Sequence, residues 1–291
     1  MFEGIGHPIP HRRRILEAYE VALIALGIGV WLALLVAKQR GPLLFEVSGV
    51  TLIYGAVIIF CCIQGERLRI CFIASYLFVL WFYFSIQRIT PALGTKLRDR
   101  DLLMLDQLIF RQTPSVYFER AAIAWLTDLM SLCYLTYHVY LIMAVVQVLR
   151  APKIASERLG AYLFMGFAAG FSGYLLVPAV GPAYAYVGMF QAPLPGGAVS
   201  RLIGMVMEKG SSVYDAFPSL HVLITCILLD HDWSWVRRRF WSMIVPSIGL
   251  VVSTIYLRYH YGVDVLVGIL LFIALRQTIL KTTRRKVGCR K

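Results

Sequence analysis

His260 and Asp264 stand four residues apart in the run Arg258-Tyr259-His260-Tyr261-Gly262-Val263-Asp264. On a helix that spacing puts both side chains on one face, one turn from each other. A carboxylate so placed accepts an imidazole N–H, fixes the tautomer and leaves the other ring nitrogen free to attack an electrophile. His221, at the end of Ala216-Phe217-Pro218-Ser219-Leu220-His221, supplies a second imidazole at the start of a different apolar segment. Two histidines and a carboxylate can provide a nucleophile, its orienting group and a proton donor for a leaving group. A lone histidine at the end of a membrane helix is most often an interfacial residue. The pairing with Asp264 weighs against that reading, because ionisable groups in or beside a spanning helix are costly and usually functional.

Pro218-Ser219-Leu220-His221, followed about forty residues later by His260-Tyr261-Gly262-Val263-Asp264, resembles the motifs of the type 2 phosphatidic acid phosphatase superfamily. More narrowly, it is similar to the branch containing inositol phosphorylceramide synthases. The resemblance covers roughly residues 100 to 275. Two departures from the phosphatase pattern resemble that branch. Ser253 and Thr254 stand where the third motif usually has Ser-Arg, and Pro178-Ala179-Val180-Gly181-Pro182-Ala183-Tyr184 occupies the place of the Lys-rich first motif.

The resemblance implies an all-α membrane bundle with a six-helix catalytic core, and phosphoryl transfer through a phosphohistidine. His260 would attack phosphorus, Asp264 would hold its ring, and His221 would protonate the leaving oxygen. Such a site must also balance the charge on the equatorial oxygens. The candidates are Arg258, Arg201, Lys209, Ser219 and the backbone N–H groups at a helix start, which attract anions. Arg258 is two residues from His260, so on a helix it points elsewhere, whereas a loop there turns it inward. Taken singly, each cation also fits an ordinary interfacial residue. Tyr184, Tyr186, Tyr214, Tyr259 and Tyr261 crowd the same region and read as an aromatic interface belt. The motifs imply no cofactor and no metal.

The elements that must position these residues are membrane helices. The chain is 59% hydrophobic and 15% charged, far more apolar than a soluble domain with about 25% charged residues. The net charge of +13 does not point to nucleic acid, because the basic residues cluster at the ends of apolar runs, where membrane orientation accounts for them. Cys61, Cys62, Cys71, Cys133 and Cys226 fall in apolar runs and Cys289 in the tail, with no zinc spacing and no disulfide framework. The first apolar run is long enough to span and lacks a small-residue cleavage site, so no cleavable signal peptide is expected.

Eight spans are expected, at about 19–37, 47–63, 70–86, 123–149, 159–177, 218–229, 240–257 and 263–275. Pro218 is placed in the first turn of the sixth, and the Gly- and Ala-rich fifth span permits close packing. Residues 102–118 suit a helix lying in the interface, and the Pro- and Gly-rich stretch 178–215 suits a folded cap rather than continuous helix. Asp128 and His138 lie inside the fourth span without an obvious local partner; Asp128 suits a wet end and His138 a satisfied core imidazole. Asp230-His231-Asp232, beside Trp233, Trp235 and Arg237-Arg238-Arg239, reads as an interface anchor after the sixth span rather than a metal site.

The domain division is then 1–100 for N-terminal membrane helices, 101–276 for the catalytic bundle and 277–291 for a basic cytoplasmic tail. With the N-terminus inside, the short inner loops carry most of the Arg and Lys. The 178–215 loop, His221 and His260 then fall on the non-cytoplasmic face of a multi-pass protein (of the plasma membrane, or the inner membrane of a bacterium). The expected partners are a lipid substrate and the bilayer. A proton-coupled transporter is the second reading, which requires broken helices in repeated halves that the sequence does not display. A catalytically dead scaffold is the third, and the intact His221, His260 and Asp264 count against it.

Overall fold

The computed structural model describes residues 16–39, 41–64, 68–150, 153–210 and 212–288. It is all-α among those residues, in the order α1 (Ala18–Val36), α2 (Pro42–Gln64), α3 (Leu68–Ala92), α4 (Asp99–Phe110), α5 (Pro114–Glu119), α6 (Ala124–Arg150), α7 (Lys153–Leu176), α8 (Pro182–Ala185), α9 (Ala198–Gly210), α10 (Leu220–Trp235), α11 (Arg237–Tyr256) and α12 (Gly262–Gly288). A short 3-10 turn at Val187–Met189 follows α8.

Seven of these, α1, α2, α3, α6, α7, α11 and α12, are long and apolar enough to cross a membrane. The eighth expected span, α10, has 16 residues. At 1.5 Å per residue that is about 24 Å, short of the hydrocarbon core. It compensates by position. α10 packs against α6, α7, α11 and α12, and His221, Val222, Leu223, Ile224, Ile227 and Leu228 are all buried. It is the axis of the group formed by α6, α7, α11 and α12, while α7 joins that group to α1 and α3.

Close packing of α7 on α10 depends on glycine. A Cβ at Gly170 would overlap the Leu220 side chain, and one at Gly173 would overlap the Pro218 ring. Pro218 cannot swing aside, so Gly173→Ala should displace the segment that carries His221. The expected cost is about 1–3 kcal/mol, read as a lowered thermal midpoint in detergent. Gly55→Ala in α2, where a Cβ meets nothing within 4 Å, should leave the midpoint unchanged or raised. Equal behaviour of the two variants would contradict this packing.

Several expected boundaries are corrected. Residues 102–118 form two helices instead of one interfacial helix. Arg111 takes a left-handed conformation (φ 71) and Thr113 is extended before Pro114, because the residue preceding a proline is disfavoured in the α region. The 178–215 stretch contains a 13-residue helix, α9. Pro218 precedes the N-cap, Ser219, instead of lying in the first turn of α10. α10 also continues through Asp230-His231-Asp232. Its length is possible because Asp232 is fully buried yet neutralised: it accepts from Tyr140 Oη at 2.7 Å and from Arg239 Nε at 2.6 Å. His231 faces Gln147 at 3.0 Å and Asp230 pairs with Arg276 at 2.7 Å. The trio thus serves four partners and ties α10 to α6, α11 and α12.

Cys61, Cys133 and Cys226 are free thiols, and Cys61 and Cys71 are fully buried. Cys289 lies outside the described residues.

Candidate active site

The site assembles where the first turns of α10 and α12 meet. α11 ends at Tyr256, the peptide N–H groups of Tyr259 and His260 both bond to the Thr254 carbonyl at 3.1 Å, and Arg258 reverses the chain with φ 65. His260 therefore sits in the turn before α12, and only Asp264 is helical; the picture of both on one helix is corrected. The two side chains still approach, His260 Nδ1 lying 3.4 Å from Asp264 Oδ2.

The closer acceptor for Nδ1 is the Ala216 carbonyl, at 2.7 Å. A carbonyl can only accept, so this bond places the proton on Nδ1 and the lone pair on Nε2. Asp264 Oδ2 accepts the Tyr261 N–H at 2.8 Å, and its Oδ1 has no hydrogen-bond partner among the described residues. Asp264 is thus a buried negative charge beside the imidazole, while a backbone oxygen fixes the tautomer.

His260 Nε2 points at His221 Nδ1, 3.4 Å away. His221 is held between the rings of Tyr134 and Tyr137, with both centroids at 4.6 Å. Ser219 caps α10: its Oγ accepts the Val222 N–H at 3.5 Å, and its own N–H donates to the Asp264 carbonyl at 3.2 Å, locking α10 to α12. These contacts bring His221, His260, Asp264 and Ser219 into one cluster.

The other sequence candidates lie around that cluster. The Arg258 guanidinium donates to Glu119 at 3.2 Å and to the Ala192 carbonyl at 2.9 Å, and stacks 3.8 Å over Phe190. It straps the cap to α5, and only its Nε is without a partner among the described residues. Burial pulls its pKa below the ordinary arginine value, against the opposing pull of Glu119. Arg201 lies on α9 and lines a cavity of about 200 Å³ together with Ser131, Ser200, Tyr134 and Tyr259. The Tyr134 ring also packs on His221, so this cavity adjoins the histidines. Burial, aided by Tyr184 and Asp215, pushes the Tyr259 phenol up to about 12. The backbone of Lys209 belongs to α9, but its side chain lies outside the described residues. Asp128, one turn from the start of α6, is not idle: it accepts the N–H groups of Gly197 and Ser200 at 3.1 and 2.8 Å and so caps α9. His138 Nδ1 is buried without a partner among the described residues, so the imidazole is not fully satisfied.

Sequence reasoning missed two carboxylates. Asp99 accepts the N–H groups of Val180 and Gly181 and the Tyr261 hydroxyl at 2.9–3.1 Å. Asp106 accepts the Gly262 and Val263 N–H groups at 3.0 and 2.8 Å, together with Thr113 Oγ1. Both sit on the buried face of α4, two turns apart. One anchors the 178–181 loop and the other the start of α12. Gly181 has φ 82, and a Cβ there would overlap the Tyr259 carbonyl, so the loop passes the histidine turn as closely as backbone can. A signal was present: two acids seven residues apart on an amphipathic helix occupy one face, and that face is apolar here.

The described residues form a helical bundle with seven candidate membrane spans, in which two histidines and a buried carboxylate meet at the starts of α10 and α12. The chain belongs to the PAP2 superfamily, whose family model matches residues 100–276, more than half of its length. That membership supports a phosphatase-type activity on lipid phosphates in general. No curated protein and no solved structure matches the chain.

Proposed function

We propose that the protein transfers a phospho-head-group from a lipid phosphate or phosphodiester to an alcohol acceptor, through a phosphohistidine on His260. The observation that carries this reading is the approach of His260 Nε2 to His221 Nδ1, 3.4 Å apart, with the His260 proton held on the opposite nitrogen by Ala216. In the first step the Nε2 lone pair forms a P–N bond, the P–O bond to the lipid breaks, and protonated His221 gives its Nδ1 proton to the leaving oxygen. In the second step His221 takes a proton from the acceptor hydroxyl, whose oxygen attacks phosphorus as the P–N bond breaks. Water in place of the alcohol turns the same sequence into hydrolysis. Transfer is favoured by the resemblance of 178–184 and 253–254 to the inositol phosphorylceramide synthase branch.

Arg201 is the phosphate ligand we favour. Its side chain has no ion pair and no hydrogen bond among the described residues, and it lines a hydroxyl-bearing cavity that shares Tyr134 with His221. Arg258 through its Nε, Ser219 and Lys209 complete the candidate set.

Purified protein should release the lipid alcohol from a lipid phosphate and, with an alcohol acceptor added, form the phosphorylated acceptor faster than inorganic phosphate. Phosphate release alone, unaffected by acceptors, would leave only the phosphatase reading. No cleavage across a panel of lipid phosphates and phosphodiesters would remove both.

The proposed site faces away from the cytoplasm, which the bias of Arg and Lys towards the inner loops supports. Gly188 in the cap is exposed and has open space around it. Gly188→Cys should therefore react with an impermeant thiol reagent in intact cells, while the native Cys289 reacts only after permeabilisation. The reverse pattern would invert the topology.

A further inference from the structure

Tyr83 belongs to α3, ahead of the matched region 100–276, yet it reaches the segment that shapes the site. Its hydroxyl donates to Asp215 Oδ2 at 2.9 Å and accepts the Ser212 N–H at 3.3 Å. One phenol thereby staples both ends of 212–215. The next residue is Ala216, whose carbonyl holds the proton of His260 Nδ1 at 2.7 Å. The Ala216 N–H in turn bonds to the Ala179 carbonyl at 3.3 Å, so the strand carrying that carbonyl is pinned on both sides. Asp215 also interacts electrostatically with His260.

We infer that Tyr83 and Asp215 are a positioning pair: through them an N-terminal helix sets the Ala216 carbonyl and places a second negative charge beside the nucleophile. The inference rests on the phosphohistidine reading. A carboxylate there favours the positive charge that the ring acquires as Nε2 bonds to phosphorus, adding to the effect of Asp264. The groups facing Asp215 are Tyr83 from α3, Tyr134 and Tyr137 from α6, Tyr174 from α7, and Tyr259 and His260 from the turn before α12. Apart from His260 these are all phenols, so none of them sets a permanent cation against Asp215. Burial accordingly pushes the Asp215 carboxyl up to about 6, against the Tyr83 hydrogen bond, which lowers it.

The test uses the full chain in detergent or nanodiscs, with wild type, Asp215→Asn, Tyr83→Phe and His260→Ala assayed on one lipid phosphate across pH. Loss of an outer partner that orients a functional histidine at a metal costs about 10–100-fold, and a similar fall in kcat is expected for Asp215→Asn, with KM within about twofold. Asp215 is one of the groups that shape the acid limb of wild-type kcat, and Asp215→Asn should shift that limb. In Tyr83→Phe the carboxylate loses a donor that favours its ionised form, so the limb should move to higher pH. A merely structural contact would lower activity without moving that limb. If both variants turn over with the wild-type acid limb in place, the positioning role is overturned. If wild type itself cleaves no lipid phosphate, or His260→Ala equals wild type, the phosphohistidine reading has failed instead. Tyr83→Phe keeps the ring that packs in α3, so it remains informative even where Asp215→Asn does not fold.

Discussion

His260→Ala should abolish turnover in a protein that still folds. A nucleophile has no substitute, and removing the nucleophile or base of such a unit costs several orders of magnitude; a loss of at least about 10⁴-fold in kcat is expected. The structural penalty is smaller, because the substitution removes the contacts to Ala216 and His221 and leaves the Ala216 carbonyl without its donor, at about 1–3 kcal/mol for a buried group left unpaired. Brief incubation with lipid carrying labelled phosphate should give an acid-labile phosphoprotein in wild type and none in the variant. Asp264→Asn offers a useful contrast. In serine proteases the equivalent change is severe because the histidine adopts the wrong tautomer. Here the tautomer is held by a backbone oxygen, so Asp264 contributes charge, and a milder loss of roughly 10²-fold is expected, within the range of a single electrostatic contribution. Wild-type turnover by well-folded His260→Ala would end the phosphohistidine mechanism.

His221→Ala should show a loss that depends on the leaving group. General acid catalysis contributes about 10²–10⁴-fold, most of it for poor leaving groups such as alkoxides. The variant should be crippled on a lipid alkyl phosphate and recover much of its rate on an aryl phosphate, whereas His260→Ala and Asp264→Ala should not recover. The geometry specifies which nitrogen acts: Nδ1 of His221 faces the nucleophile, while the flanking rings of Tyr134 and Tyr137 present electron-rich surfaces to the imidazole. Equal losses for both histidine variants on both leaving groups would mean that another residue donates the proton.

Much of this protein was legible before any coordinates. Hydropathy marks seven helices to within a few residues at most ends, since a span of about twenty apolar residues has few alternatives. The motif spacing singled out His221, His260 and Asp264, and the structure places them together. What stayed hidden depends on tertiary partners. Asp232 looked like the end of α10 because its neutralising arginine, Arg239, lies seven residues on, in the next helix. Asp99 and Asp106 were passed over because, taken singly, a carboxylate that caps a distant backbone segment is written in sequence like one that faces water. The Ala216 carbonyl carries no side-chain signature at all, although it sets the tautomer of His260. Arg258 was ambiguous for the opposite reason: its cationic chemistry was plain, but its commitment to Glu119 requires α5 to fold against α11.

The two carboxylates of α4 link the chemistry to the texture of the lipid around it. Asp99 and Asp106 grip the 178–181 loop and the start of α12 from one face of the helix. The other face leaves Met104, Leu105, Leu108 and Ile109 exposed, and an amphipathic helix of this kind rests in the head-group layer with that side buried among acyl chains. With α4 seated in that way, the histidines would be held in register by a float on the membrane surface as well as by the helices around them. Lateral pressure, head-group crowding and bilayer thickness would all act on the depth and tilt of such a float, and the surrounding lipid would then set how well the two imidazoles are aligned.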